Sequence, residues 1–543
     1  MKKAYTLLAC SIMPLFFPAI LHAESAASVS PRIINGSDAA IGDWPSIVAL
    51  VKRNQNAFDG QFCGGSFLGG RYVLTAAHCV EFMDPEKLDV VIGINNLHNE
   101  NREGIRVPVR RIYVHEDYRN TNLINDIAVL ELANEVASPA MVIADAATRA
   151  STGAGTRMSV AGWGTTAPSG SAVYPTVLQQ VDVELQDQNV CYGAMSPLNP
   201  SGMSASEDST SFCAGTSNNS DSCRGDSGGP LIITSSGVQL GIVSWGSNVC
   251  ASNGTYGVYT NISYFSDWLA AKTSGFSYQQ YINLNPMPLE AFSRTFTYNN
   301  FSSSPLTYSM IEGVDNPYAP ARVTANGCEN QTLNTNESCD ITVQFNPQFY
   351  LNYEHNIEVS FLENGITYKT AKTTVTYKAM RYADLDVMDA LANIPRVDIL
   401  SSEFAWIGSG SGLRSGFIGD SQNSELVIRG VPRGKLSFDY RMSSENTDRF
   451  ELYLNGEYQG RASGYAAGSV TLKMLDANNI VEFRYIKDES YAVGEDGVFI
   501  TNIRYSSNLS TDSSSSSGSS GGGSIGWFGL LLFAPLWMRR KAS

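Results

Sequence analysis

Alternation of apolar and polar positions recurs along much of the chain. Ile341, Val343 and Phe345 occupy every second position, as do Leu436, Phe438 and Tyr440, and then Phe450, Leu452 and Leu454. A period of two puts such side chains on one face of a half-buried antiparallel strand. The dipeptide Asn455-Gly456 closes the last of these runs, and both residues tolerate the positive φ that a two-residue hairpin turn demands. YFSDWLAAK, residues 264–272, departs from this pattern, with apolar spacing that suits a helix packed on a core. The 48 glycines, interspersed with Ser, Thr and Asn, fit many short strands joined by turns. An all-β protein is therefore expected.

At 543 residues the chain exceeds what one hydrophobic core organises, so several units are expected. The first runs over residues 33–272 and ends with the helical segment. A small Ig-like β-sandwich is expected over 285–380, where Cys328 and Cys339 are close enough to staple one hairpin or loop. A jelly-roll-like β unit is expected over 385–505. Residues 506–524 are so rich in Ser and Gly that they read as a flexible linker. Residues 525–543 form an apolar stretch followed by Arg539, Arg540 and Lys541. That stretch is shorter than the about 20 apolar residues that usually span a bilayer. At the other end, residues 1–23 carry two lysines, an apolar run and a small residue at Ala23, the pattern of a signal peptide. A short segment, 24–32, separates it from the first unit.

Export changes how the cysteines are read. Of nine, Cys10 leaves with the signal, and the even number remaining points to disulfides formed in an oxidising compartment. The net charge of -15, with no large basic patch, argues against nucleic acid as a partner. His98, His115 and His355 show no metal-ligand spacing and are expected on the surface or in loops, and no metal site is expected. Asp448, Asp488 and Asp496 of the third unit are expected in turns and on solvated faces rather than around calcium or sugar.

Three strings carry the chemistry. GDSGGP, residues 225–230, sets Ser227 among glycines that let the backbone turn tightly and bring the amides of Gly225 and Ser227 to one point, as an oxyanion hole requires. TAAHC places His78 beside a cysteine. NDIAVL places Asp126 at the head of an apolar run, where a carboxylate can be buried against an imidazole. A hydroxyl nucleophile, a base and an orienting acid are what cleavage of a peptide bond needs.

The order His78, Asp126, Ser227 in these strings resembles the chymotrypsin-fold, trypsin-like serine peptidases over residues 33–272. The resemblance implies that Ser227 attacks, His78 shuttles the proton and Asp126 orients the imidazole. It implies an all-β chain with a trypsin-like double six-stranded β-barrel, here followed by two β-sandwich or jelly-roll domains. It also implies the disulfides Cys63 with Cys79, Cys191 with Cys213, and Cys223 with Cys250, to which Cys328 with Cys339 is added. Asp221 falls where trypsin has the carboxylate at the base of its primary pocket. Ser222, Ser244, Gly246 and Gly257 match the pocket's other positions, so substrates with Arg or Lys before the cleaved bond are implied. PRIING matches a zymogen activation site cut between Arg32 and Ile33, with Asp226 as the implied partner of the new amino terminus. No cofactor is required. Ile94 stands where calcium-binding members have an acidic ligand, which removes that site, and Tyr256 stands where sodium-activated relatives have Tyr, which suggests a sodium ion nearby.

The C-terminal end resembles the GlyGly-CTERM sorting signal, with Gly521, Gly522 and Gly523 ahead of the apolar stretch. That implies a Gram-negative source, the type II secretion apparatus, a rhomboid-type sorting protease and a transient inner-membrane anchor, with the mature enzyme extracellular or on the cell surface. An ordinary membrane anchor is the simpler alternative for the tail. The whole arrangement is similar to vibrio extracellular serine proteases. Two other readings compete: a silent adhesin on a protease scaffold, and an active protease whose β units bind a surface or glycan ligand.

Overall fold

The computed structural model describes residues 36–165, 173–206, 209–216, 225–247, 252–314, 320–410, 412–489 and 494–509. The expected signal peptide, activation site, C-terminal apolar stretch and most of the linker lie outside the described residues.

Strands dominate, and the first ones close into a barrel. Its members are Ile47–Lys52, Gln61–Thr75, Leu88–Ile92, Ile105–Val114 and Ala128–Val136. Gln61–Thr75 is 15 residues long; its first half pairs with Ile47–Lys52 and its second with Ala128–Val136. Gly69 and Gly70, at φ 98° and 58°, mark the corner between the halves, so one strand serves two sides of the barrel. The second barrel holds six strands, Arg157–Gly162, Gln179–Leu185, Ser211–Gly215, Pro230–Ile233, Gln239–Trp245 and Gly257–Asn261, and closes where Gln179–Leu185 meets Ser211–Gly215. The expected helix forms over Ser266–Lys272 and buries Leu269.

Two further β units follow. A four-stranded sheet of Phe276–Ser277, Phe292–Asn300, Glu337–Phe345 and Ala321–Asn326 faces part of a ten-stranded sheet that continues into the last unit. Continuity depends on Thr367–Tyr382. Most of this strand pairs with Asn352–Glu363, while Arg381 and Tyr382 pair with Ser401 and Leu400. Ile341, Val343 and Phe345 are fully buried, as the alternation demands, and so are Leu436, Phe450 and Leu452. Asn455 and Gly456 take φ 54° and 82°, and Leu454 pairs with Glu457 across their turn. Among the described residues no helix is long and apolar enough to cross a membrane.

Two expectations about polar residues fail. His355 is 2% exposed, because it takes an inward position of Asn352–Glu363; there it stacks on Tyr377 and meets the Tyr377 hydroxyl at 3.2 Å. Burial holds its pKa below the ordinary value. His115 is half-buried against Phe265 and Trp268. Asp448 is not on a solvated face. It is fully buried, accepting from the Ser444 hydroxyl and, at 3.1 Å, from the Asp488 amide. Asp496 accepts from the buried Lys487 at 2.7 Å. The alternation of short strands does not reveal which turn folds inward.

The first barrel and the second unit are not separable at the helix. One continuous apolar core runs from Val48 and Leu130 of the barrel to Phe345 and Phe361 of the sandwich. Residues 276–280 form the seam: Ser277 Oγ donates to the buried Glu131 at 2.8 Å, and the Tyr278 amide donates to the Tyr113 hydroxyl at 3.1 Å. The Gln280 side chain accepts from the Val114 amide at 2.6 Å and donates to the Val114 carbonyl at 2.8 Å, standing in for a neighbouring strand. Burial lifts the Glu131 pKa, and the Ser277 hydrogen bond, the Arg110 charge, the Tyr113 hydroxyl and the Arg111 charge partly restrain it. A chain ending at Lys272 is therefore expected to lose several kcal/mol, at about 1.5–3 kcal/mol for each buried aromatic uncovered. Its Tm should fall by roughly 10 °C or more relative to a chain ending at Tyr382. Equal melting temperatures would show that the seam contributes nothing to the barrels.

Candidate active site

Each barrel contributes one side of a cleft. The short helix Ala77–Val80 begins two residues after Gln61–Thr75 and carries His78; Cys63–Cys79, with S–S 2.05 Å, ties it back to that strand. Asp126 precedes Ala128–Val136, in the same barrel. Ser227 comes from the second barrel, in the loop that leads into Pro230–Ile233. His78, Gly225, Ser227, Ser244, Gly246 and Gly257 line one cavity.

Asp126 is 1% exposed, and its carboxylate is surrounded by donors. His78 Nδ1 lies 2.7 Å from Oδ2, Ser244 Oγ donates to the same oxygen at 2.5 Å, and the His78 backbone amide donates to Oδ1 at 2.9 Å. Burial disfavours the charged carboxylate, but the charge of His78 and these hydrogen bonds outweigh it and hold Asp126 below the usual carboxylate range. For His78 burial likewise disfavours the cation, and the charge and hydrogen bond of Asp126 prevail, raising its pKa above 6.5. The imidazole keeps one fifth of its surface open, so it can exchange a proton with a bound molecule.

The glycines of the Ser227 loop follow from its crowded surroundings. Gly228 has φ 81°, and a Cβ there would lie 2.2 Å from Thr75 Oγ1 and 2.5 Å from the Gly64 carbonyl oxygen. Gly225 has φ 104°, with Gly164 Cα only 2.8 Å from where its Cβ would sit. No L side chain fits either place without moving backbone. The loop is pinned to both barrels, since the Gly64 amide donates to the Ser227 carbonyl at 2.7 Å and the Gly228 amide to the Val243 carbonyl at 2.8 Å. Asp226 is fully buried and accepts from the Gly164 amide at 2.7 Å.

Ser244 was expected on the pocket. It does line the cavity, but its hydroxyl is committed to Asp126. At Gly246 a Cβ would meet no atom closer than the Tyr256 carbonyl oxygen at 3.9 Å, and Gly246 and Gly257 both line the cavity. Asp221 and Ser222, expected at its base, lie outside the described residues, as do Cys223, Cys250, Arg32 and Ile33. Cys191–Cys213 and Cys328–Cys339 are formed as expected. Three contributors carry no local signal in the sequence. Thr260 Oγ1 donates to the Asp126 carbonyl at 2.8 Å, Gln61 Nε2 to the Gly225 carbonyl at 3.1 Å, and Gly64 holds Ser227 from the opposite barrel.

Residues 33–269 match the Trypsin family. Over 248 residues the chain is 36% identical to Trypsin Blo t 3 of Blomia tropicalis, which spans 85% of that protein and 44% of this chain. The chain belongs to the trypsin family of serine proteases. It is a serine endopeptidase, and a trypsin-like domain of this kind needs no cofactor. Trypsin-1 of Astacus astacus is 34% identical, with 99% of that protein and 44% of this chain covered. Two solved structures extend the likeness beyond the trypsin-like domain. The secreted serine protease VesC from Vibrio cholerae aligns with 87% of this chain and 99% of its own, at 29% identity and a TM-score of 0.61. The Vibrio cholerae VesB protease aligns with 64% of this chain and 100% of its own, at 43% identity and a TM-score of 0.54.

Proposed function

We propose that this chain is a secreted, trypsin-like endopeptidase that hydrolyses peptide bonds after Arg or Lys through an acyl-enzyme intermediate. The observation that carries the reading is the His78–Asp126 pair, built on the first barrel, sharing a cleft with Ser227 from the second. In this reading His78 takes the Ser227 proton as the hydroxyl attacks, then returns it to the leaving amine. Asp126 holds Nδ1 protonated and stabilises the imidazolium, and the amides of Gly225 and Ser227 receive the oxyanion.

Specificity rests on Gly246 and Gly257, which add no side chain to the pocket wall, and on Asp221 as the carboxylate that receives a guanidinium or ammonium group. Synthesis as a zymogen cut between Arg32 and Ile33 fits the buried Asp226, which would receive the new amino terminus. Export to the cell surface or medium through the type II apparatus, after sorting by a rhomboid-type protease, is supported by the ends of the sequence and by the likeness to a protein described as secreted. A sodium ion near Tyr256 remains part of the proposal. Full-length protein freed at Ile33 is expected to cleave short amides ending in Arg or Lys at least about a thousandfold faster than those ending in Phe or Ala, the discrimination a buried charge partner supplies. Comparable rates on all four would remove Asp221 from the pocket.

A further inference from the structure

We propose that the last β unit and the first barrel together form a groove that binds the stretch of substrate on the C-terminal side of the cleaved bond. The inference rests on the proteolytic reading above.

The cavity that holds Ser227 and His78 does not end at the catalytic cleft. Its lining also includes Cys63 and Cys79 of the first barrel, Ile282 and Phe292 of the second unit, and Leu454, Tyr458 and Leu475 of the last unit. Its direction follows from the chemistry. The side chain before the cleaved bond enters the slot at Gly246 and Gly257 on the second barrel, so the chain beyond that bond leaves past Ser227 and His78 over the first. Lining the same cavity are Phe82, which is 57% exposed, and the wall formed by Tyr458 and Leu475, 36% and 41% exposed.

This wall is held in place. Lys52 Nζ meets Glu457 Oε1 at 2.6 Å, Asn54 Nδ2 donates to Asp476 Oδ1 at 3.0 Å, and Lys87 Nζ donates to the Asn455 carbonyl at 3.3 Å. Exposed contacts of this kind are individually weak. The sheet that runs unbroken through Thr367–Tyr382 into the last unit limits how far that unit can swing. Apolar side chains set in a polar rim beside a catalytic cleft suit an extended polypeptide carrying apolar residues. The groove's continuity with the cleft identifies that polypeptide as the substrate's own leaving segment.

The test uses full-length protein freed at Ile33 and two substrates with the same Arg. One ends in a chromogenic amide directly after Arg. The other continues for about ten residues, some apolar, which reach about 33 Å when extended. The unaltered protein should favour the long substrate in kcat/KM. Combining Tyr458→Ser with Leu475→Ser should cut that value about tenfold and leave the short amide within about twofold. Glu457→Lys, which sets like charges against Lys52, should act the same way and be rescued by Lys52→Glu. Equal effects on both substrates, or no length preference at the outset, would overturn the groove while leaving the protease reading intact. A length preference that appears only at high enzyme concentration would assign the groove to a second copy of the chain and overturn it too. Failure to cleave even the short amide would instead sink the proteolytic reading itself.

Discussion

Replacing Ser227 by Ala is expected to lower kcat on a short Arg amide by about a million-fold with little change in Tm. The hydroxyl is the only atom lost. The loop keeps its anchors, because the Ser227 carbonyl still accepts from Gly64 and the Gly228 amide still donates to Val243. Without the nucleophile, His78 has no proton to take in the first step, and what survives is attack by water aided by the oxyanion donors. Losses of about this size are typical of serine nucleophiles, with residual catalysis of 10³–10⁴ over water. Steady-state kinetics beside a thermal melt decides it. A loss below about a hundredfold would mean that Ser227 is not the nucleophile.

Asp126→Asn should cost about 10⁴ in kcat and also reshape the pH profile. Asp126 Oδ2 now receives both His78 Nδ1 and Ser244 Oγ, while Oδ1 receives the His78 amide. A carboxamide has one oxygen and one NH₂, so one of these donors must face N–H. If Nδ1 becomes the acceptor, the proton sits on Nε2 and the imidazole can no longer accept from Ser227. The working form of His78 is neutral, so activity rises as it deprotonates. With its pKa raised above 6.5 by Asp126 against the opposing effect of burial, kcat/KM of the unaltered enzyme should rise with pH through a midpoint above 6.5. In the variant only the charge of Glu81 still opposes burial, and the midpoint should move down. An unchanged midpoint would show that Asp126 does not set the basicity of His78.

Local sequence was informative wherever one short segment carries its own physical requirement. Alternating Ile341, Val343 and Phe345 had to be a half-buried strand, and Asn455-Gly456 had to be a tight turn, because period and positive φ are properties of neighbouring residues. The glycines around Ser227 were legible as a tight turn for the same reason. The trypsin-like fold was readable from motif resemblance, whereas periodicity alone offers strands without their closure.

What escaped reading depends on residues far apart in the chain. His355 occupies an inward strand position that only sheet stacking makes a core site, and Asp448 is buried because Tyr485 and Asp488, 37 and 40 positions further on, fold around it. The seam at residues 276–280 was invisible because its partners, Glu131, Tyr113 and Val114, lie more than a hundred positions earlier.

Sequence alone determined the identity of the chemical groups, the strand-rich character and the family, since these reside in side-chain type and short-range spacing. Tertiary structure alone decided that Ser244 would hold Asp126, that the first barrel would share a core with the next unit, and that the last unit would wall the groove beyond the cleft. Those outcomes depend on which surfaces meet when separate sheets bury their apolar faces, and a linear spacing of residues does not encode that meeting in any one segment.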